Sequence, residues 1–238
     1  MSIRENLRQV QERIQRAAQK AGRDPAEVQL VLVTKTVSVE RIREAFEAGH
    51  RDFGENRVQE LLEKKPQLPA EIRWHFIGHL QTNKVKSLLN GSGGASFLVH
   101  SLDRIPLAEE IEKQAEKKGI EVDALLEVNT SGEATKSGFS PEEFPAALEK
   151  IKALNRIRVR GLMTIAPLTE EEQKIRSSFR TLRELRDRLF PNSSAGRRIG
   201  EGEAPLELSM GMSSDFEIAI EEGATIVRIG SAVFGERE

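Results

Sequence analysis

The sequence predicts an α/β protein, a single-domain (β/α)8 TIM barrel, and three observations support this prediction. Short apolar segments rich in β-branched residues alternate with amphipathic segments along the 238 residues of the chain. Eight such apolar segments occur and no ninth, which favours a closed barrel of parallel strands with helices outside. Barrels of this kind often occupy roughly 200–250 residues as one unit, so we expect one domain over residues 1–238.

The chain is expected to begin with an additional N-terminal helix. Apolar residues recur at three-to-four spacing through the first twenty positions, at Ile3, Leu7, Val10, Ile14 and Ala17. Gly22 follows them and is a typical helix end. Since only eight residues follow the last predicted strand, we expect this helix to occupy the place of the eighth outer helix.

The eight strands are expected in order along the chain, most of them at short runs of apolar residues. By residue number they span 28–35, 50–56, 72–79, 97–100, 122–129, 157–163, 206–210 and 225–230. Two of the intervening helices carry start signals, because Ser140 and Thr169 each stand three residues before a glutamate. Segments 91–96 and 191–205 have the composition of surface loops.

The charge balance and the apolar runs exclude several classes of partner. With 36 Lys and Arg against 38 Asp and Glu, the formal net charge is −2, which gives no general attraction to nucleic acid. No apolar run approaches the roughly 18 residues that a membrane span needs. The opening residues MSIRENLRQVQER lack the apolar core of a signal peptide. We therefore expect a cytoplasmic protein with neither a membrane nor a nucleic acid as partner.

Two residue types are missing altogether, and their absence limits the possible chemistry. Without cysteine there is no disulfide, no thiolate nucleophile and no sulfur ligand for a metal. Without tyrosine there is no phenol to serve as a catalytic acid or base. His75 and His79 would share one strand face if the third strand reached that far, but no carboxylates at metal-like spacing accompany them. We expect no metal site.

Lys35 is the first candidate for chemistry, because functional groups of such barrels lie at the C-terminal ends of the strands. In VQLVLVTK the alternation puts Lys35 on the same face as Val31 and Val33, towards the barrel interior. Partial desolvation there would favour the neutral, nucleophilic amine. The alternative is that the amine simply extends from the strand end into solvent.

A candidate anion site follows the last two strands. Ser213 precedes the seventh outer helix, and Gly230 and Ser231 follow the eighth strand, where barrels often hold phosphate groups. The alternative is that Ser213 or Ser214 only caps the helix and Gly230 only turns the chain. Arg228 alternates with inward positions of the last strand, and a carboxylate partner inside the barrel would be sufficient to explain it.

Seven stretches of the sequence occur together in a known family. They are LVTK (32–35), AGHRDFGENRVQEL (48–61), WHFIGHLQTNKVK (74–86), HSLDR (100–104), EVNTSGEATKSGF (127–139), GLMTIAP (161–167) and LSMGMSSDFEIAIEEGATIVRIGSAVFG (208–235). In this respect the sequence resembles the pyridoxal phosphate homeostasis protein (YggS/PROSC-like) family. The resemblance covers nearly the whole chain and also implies kinship with the barrel of fold-type III pyridoxal-phosphate enzymes such as alanine racemase.

The resemblance implies a bound cofactor, pyridoxal 5′-phosphate (PLP), and assigns roles around it. It implies a Schiff base on Lys35, phosphate contacts at Ser213, Gly230 and Ser231, Arg228 at the pyridine nitrogen, and Asn56 and Met163 lining the cofactor. The sequence departs from the family pattern at Arg57, where an aromatic residue is common, and at residues 37–39, where a proline is common. Both departures concern contacts at the rim.

The residue types favour a protein that binds the cofactor over an enzyme that uses it in catalysis. An arginine at the pyridine nitrogen cannot hand over a proton, so the cofactor is a weak electron sink. Relatives that are enzymes compensate with Tyr or Cys, and this chain has neither. We expect PLP buffering and supply for vitamin B6 homeostasis by a monomer, with amino acids, other amines and PLP-dependent apoenzymes as partners. The alternatives are a small amino-acid racemase or lyase using Lys35 and His79, and a scaffold or RNA-binding barrel without cofactor.

Overall fold

The computed structural model describes residues 2–91, 97–133, 135–190 and 206–235, and it confirms the predicted barrel. Eight parallel strands lie in chain order, and the last pairs with the first. The strands are β1 (Gln29–Val33), β2 (Asp52–Glu55), β3 (Arg73–Phe76), β4 (Phe97–Leu102), β5 (Val122–Glu127), β6 (Ile157–Met163), β7 (Glu207–Ser209) and β8 (Ile226–Ile229). The helices are α1 (Ile3–Lys20), α2 (Val39–Glu47), α3 (Val58–Lys64), α4 (Val85–Gly91), α5 (Ile105–Lys118), α6 (Phe144–Lys152), α7 (Glu172–Leu189), α8 (Phe216–Glu221) and α9 (Ser231–Phe234).

Helix α1 occupies the position predicted for the eighth outer helix. Its first turn is closed by a capping box, in which Ser2 accepts from the Glu5 N–H and Glu5 accepts from the Ser2 N–H. Its apolar stripe, including Leu7 and Val10, is buried. The helix contacts α2 on one side and α8 and α9 on the other, so it closes the ring between the last and the first outer helices.

Several strands end at different residues from those predicted. Strand β1 ends at Val33, two residues before Lys35, and β4 continues to Leu102, two residues beyond its predicted end. Strand β3 ends at Phe76, so His75 lies buried within the strand while His79 lies beyond it and is half exposed. The strand therefore does not reach far enough for the two histidines to share one strand face. The alternation in the sequence thus continues past the residues at which these strands end.

The helix-start signals lie slightly ahead of the helices they were expected to cap. Ser140 accepts a hydrogen bond from the Glu143 N–H at 3.2 Å, but α6 begins only at Phe144. Thr169 likewise accepts from the Glu171 N–H at 3.2 Å, and α7 begins after it. In both places the hydroxyl closes a turn that leads into the helix.

The core has an outer and an inner part. Most apolar side chains pack between the strands and the helices, whereas the barrel interior holds a small cluster of Val31, Leu125, Met163 and Ile226. The predicted loops at 91–96 and 191–205 lie outside the described residues, except that Gly91 ends α4. Within the described ranges, no helix has the length and apolar character required to cross a membrane.

Candidate functional site

The strand register brings three of the predicted residues to one edge of the barrel. Val33 of β1 pairs with Gly54 of β2, and the ladder continues in the bond from the Thr34 N–H to the Gly54 carbonyl. Lys35 and Asn56 each follow two residues after a member of that pair. On the other side Leu32 pairs with Ile229, so the segment after β8, which contains Ser231, reaches the same level. Lys35 is half buried there.

A buried ion pair between Lys64 and Glu55 contacts the backbone of the residue before Lys35. The amine of Lys64 donates to the Thr34 carbonyl at 2.8 Å and to Glu55 Oε1 at 2.7 Å. The Thr34 hydroxyl donates to the same oxygen at 2.7 Å. Burial raises the pKa of Glu55, although the bonds from Lys64 and Thr34 act in the opposite direction. The end of β1 is thus attached to β2 and α3 by hydrogen bonds.

The residue after Lys35 has an uncommon backbone conformation. Thr36 has a φ of +61°, a left-handed value that β-branched residues rarely adopt. Its N–H donates to Glu60 Oε2 at 2.9 Å, and the same carboxylate accepts from the amine of Lys64 at 2.8 Å. Sequence reasoning missed Glu55, Glu60 and Lys64. The Glu60–Lys64 spacing on α3 was visible, but its meaning depends on where Glu55 and Thr34 lie in the barrel.

The loops after β7 and β8 meet at the candidate anion site. The Ser231 hydroxyl donates to the Ser213 hydroxyl at 3.2 Å, and the Gly230 carbonyl accepts from the Val233 N–H at the start of α9. The cap of α8 is Asp215, which accepts from the Met212 N–H at 2.6 Å. The alternative that Ser213 or Ser214 caps that helix is therefore wrong.

Arg228 lies inside the barrel, as its alternation predicts, but its partners differ from those expected. It is buried and donates to the Ser209 hydroxyl at 2.5 Å and to the Thr164 carbonyl at 3.0 Å. These acceptors are neutral oxygens, whereas Glu127 and Asp215 act on it only through longer-range attraction. Burial lowers the pKa of Arg228 to about 10, so the guanidinium stays charged at neutral pH.

A cavity of about 220 Å³ opens at the same end of the barrel. Its lining includes Asn56 and Met163, together with Gly78, His79, Glu127 and Lys136. The Oδ1 atom of Asn56 is buried and accepts no hydrogen bond from the residues that the structure describes. A buried acceptor without a donor is costly, so this atom is suited to a ligand that brings one.

Apart from Arg228, the predicted residues therefore fall into three groups at the C-terminal end of the barrel strands, which we call the mouth of the barrel. Asn56 and Met163 line the cavity, Ser213 and Ser231 form the hydroxyl pair next to Gly230, and Lys35 lies on the loop after β1. Arg228 is buried in β8, which lies between β7 and β1 in the barrel. The cavity lining itself contains neither Lys35 nor the residues after β7 and β8.

Sequence reasoning also missed Glu127, the buried last residue of β5, which lines the cavity. Burial raises its pKa from 4.5 to about 7, and the negative charge of Asp103 adds to the effect, while Arg228 and Arg104 oppose it. Asp103 in turn lies 3.1 Å from Nδ1 of His79. A carboxylate ending the apolar run VDALLE was the only available signal. Its position gives the mouth a group that binds and releases a proton near neutral pH.

Comparison with known proteins identifies the family. Residues 5–238 match the family described as alanine racemase, N-terminal domain. A protein of Aquifex aeolicus called pyridoxal phosphate homeostasis protein is 49% identical over 239 residues, which cover 100% of both chains. The structure of PipY from Synechococcus elongatus, described as having PLP bound, is 33% identical and superposes with a TM-score of 0.77, covering 98% of this chain and 100% of its own.

A more distant likeness shows the fold alone. An alanine racemase of Clostridium difficile 630 superposes with a TM-score of 0.73 at 14% identity, covering 99% of this chain but 56% of the racemase. The racemase therefore contains a large part that this chain does not match.

The full-length match at 49% identity is the decisive one. The chain belongs to the pyridoxal phosphate homeostasis protein family.

Proposed function

We propose that this protein binds PLP at the mouth of the barrel and serves PLP homeostasis by holding and supplying the cofactor. The observation that supports this most is the meeting of an amine, a charged guanidinium and a hydroxyl pair at one end of the barrel. These are Lys35, Arg228 and the Ser213–Ser231 pair. They match the aldehyde, the ring nitrogen and the phosphate of PLP in chemical type.

Each residue has one task in this proposal. When bound, the cofactor supplies an aldehyde, which the Lys35 amine converts to a Schiff base with loss of one water molecule. The hydroxyls of Ser213 and Ser231 and the backbone at Gly230 hold the phosphate. Arg228 donates towards the ring nitrogen and, still charged at neutral pH, gives up no proton there.

The remaining two residues define the space beside the ring. Met163 is buried, lines the cavity and supplies an apolar contact. Asn56 supplies the buried Oδ1 acceptor that has no donor among the described residues. The residues present thus fit the cofactor at its polar and its apolar parts.

A second candidate function is amino-acid racemisation or lysis. The observation that favours it is Glu127, whose raised pKa of about 7 would allow proton transfer in the cavity beside His79. Against it, the chain has neither Tyr nor Cys. Incubation of amino acids with the PLP-loaded protein in deuterated water separates the two functions. Exchange of the α-proton well above the rate with free PLP would replace the homeostasis proposal by the enzymatic one.

The proposal extends to partners and assembly. Amino acids and other amines exchange with the Lys35 amine, and PLP-dependent apoenzymes receive the cofactor. The protein acts as a single-domain monomer in the cytoplasm. Titration of cofactor-free protein with PLP, followed by absorbance and then by the activity of an added apoenzyme, tests binding and supply together. Saturable binding and restored apoenzyme activity are expected, and neither should occur if the proposal is wrong.

A further inference from the structure

A row of buried polar side chains runs along the barrel interior below Arg228. Arg228 donates to the Ser209 hydroxyl at 2.5 Å, and the Ser209 oxygen lies 2.9 Å from Nδ1 of His100. Nε2 of His100 lies 2.9 Å from Nδ1 of His75. Nε2 of His75 lies 3.3 Å from Oδ1 of Asp52. The row therefore links strands β8, β7, β4, β3 and β2 across the barrel.

With both imidazole rings neutral, the chemistry of the two ends gives the row a single direction. An ionised Asp52 can only accept, so His75 must carry its proton on Nε2. The Nδ1 atom of a neutral His75 then accepts from Nε2–H of His100. That leaves Nδ1 of His100 to accept the single proton of the Ser209 hydroxyl. The oxygen of Ser209 is then the acceptor for Arg228, which can only donate.

The surroundings of Asp52 and of His100 agree with this arrangement. Arg73 donates to both carboxylate oxygens of Asp52. Burial raises the pKa of Asp52, but the bonds from Arg73 and His75 outweigh burial and hold the pKa below its ordinary value. Burial lowers the pKa of His100 well below 6.5, and the positive charge of Arg228 acts in the same direction.

We propose that Ser209, His100 and His75 are positioning residues that fix the guanidinium of Arg228 towards the cofactor's pyridine nitrogen. This inference rests on the proposed function, in which Arg228 faces that nitrogen. A carboxylate partner could also hold an arginine, but it would offset the positive charge at the ring. Neutral acceptors hold the same geometry and leave the charge on Arg228 directed at the cofactor.

Three variants separate positioning from simple loss of stability. Ser209→Ala and His100→Leu each interrupt the row, whereas His100→Gln can accept from Ser209 through Oε1 and donate to His75 through Nε2. His50→Leu is the matched control. His50 is a buried histidine that is hydrogen-bonded to the backbone carbonyl of Asp52 and belongs to no side-chain contact of the row. We expect the first two to weaken PLP binding about tenfold, the effect of one lost charged hydrogen bond, and to shift the visible band.

His100→Gln should recover most of the affinity and the original band position. His50→Leu should lower the unfolding temperature without moving the band. A wild-type band that keeps its position and affinity in both Ser209→Ala and His100→Leu would overturn the positioning role while leaving PLP binding intact. Absence of any band in the wild type would instead overturn the proposed function.

Nitrogen-15 NMR of histidine-labelled, cofactor-free wild type tests the row itself and decides the case even where a variant fails to fold. We expect His75 and His100 to be neutral at pH 7, each with its proton on Nε2. A proton on Nδ1 of either ring, or an imidazolium signal, would overturn the proposal.

Discussion

At the scale of single residues, the backbone around Lys35 is held in a conformation that it would not adopt alone. The left-handed backbone of Thr36 costs roughly 1–3 kcal/mol, and such strain persists only where neighbours enforce it. The neighbours here are Glu60, which accepts from the Thr36 N–H, and Lys64, which donates to the Thr34 carbonyl. The lysine expected to react is therefore presented by a fixed loop.

Lys64→Met tests that arrangement, because it leaves the buried carboxylate of Glu55 without its cation. Removing one member of a buried ion pair typically costs about 3–5 kcal/mol, so the free energy of unfolding in urea should fall by that amount. The matched control is Lys65→Met, since the Lys65 amine donates to the Gly91 carbonyl in a more exposed position, and its cost should stay below about 1 kcal/mol. Equal, small losses in both variants would contradict this account of the loop.

Glu127 should make stability depend on pH. Its pKa is raised from 4.5 in the unfolded chain to about 7 in the folded protein, so the folded state binds the proton more tightly. The contribution of Glu127 to the stability of the folded state is therefore fully present below pH 4.5, and it is lost as the pH rises through about 7. The total is on the order of 3 kcal/mol, at about 1.4 kcal/mol per pKa unit.

Glu127→Gln removes this dependence because its side chain does not titrate. In urea unfolding of the cofactor-free proteins, the free energy of unfolding of the variant should rise relative to that of the wild type, by on the order of 3 kcal/mol between pH 4 and pH 8.5. Glu142→Gln, at an exposed position, should show no such gain. Parallel curves for the wild type and Glu127→Gln would contradict the raised pKa.

At the scale of elements, helix α1 completes the barrel although it precedes the first strand. Its buried stripe packs against α2, α8 and α9, so removing apolar volume there should weaken the packing between the first helix and these helices from both ends of the chain. Leu7→Ala should cost about 2–5 kcal/mol in urea unfolding, because Leu7 is only 3% exposed. Arg8→Ala, with the side chain 71% exposed, should change stability by less than about 0.5 kcal/mol, and similar costs for both would contradict this packing.

The elements themselves were predictable, and their ends were not. Each of the eight predicted segments overlaps one observed strand, and β6 agrees with its predicted bounds at both ends. The ends near the mouth differ because a hydrophobic pattern does not record where inter-strand hydrogen bonding stops. At Lys35 and His79 the alternation in the sequence continues, but both residues lie beyond the end of the observed strand.

At the scale of the whole molecule, closure of the barrel creates contacts that no local pattern contains. His75 and His100 are 25 residues apart and Ser209 is 109 residues from His100, yet closure brings them within hydrogen-bonding distance. The same closure joins Ser213 to Ser231. Lys35 and Arg228 could be chosen from the sequence because each has an unusual charge at an inward position. Glu55 and Glu127 could not, because a carboxylate at a strand end is ordinarily a surface residue.

The central claim, PLP held on Lys35, is tested most directly by borohydride reduction of the PLP-loaded protein and peptide mass spectrometry. The account predicts that loading produces a visible absorption band, that reduction abolishes it, and that the reduced cofactor stays attached to the peptide containing Lys35. Lys35→Ala should show neither band nor label, whereas Lys86→Ala, at an exposed position, should show both. A label on another lysine, or an unchanged band in Lys35→Ala, would contradict the account.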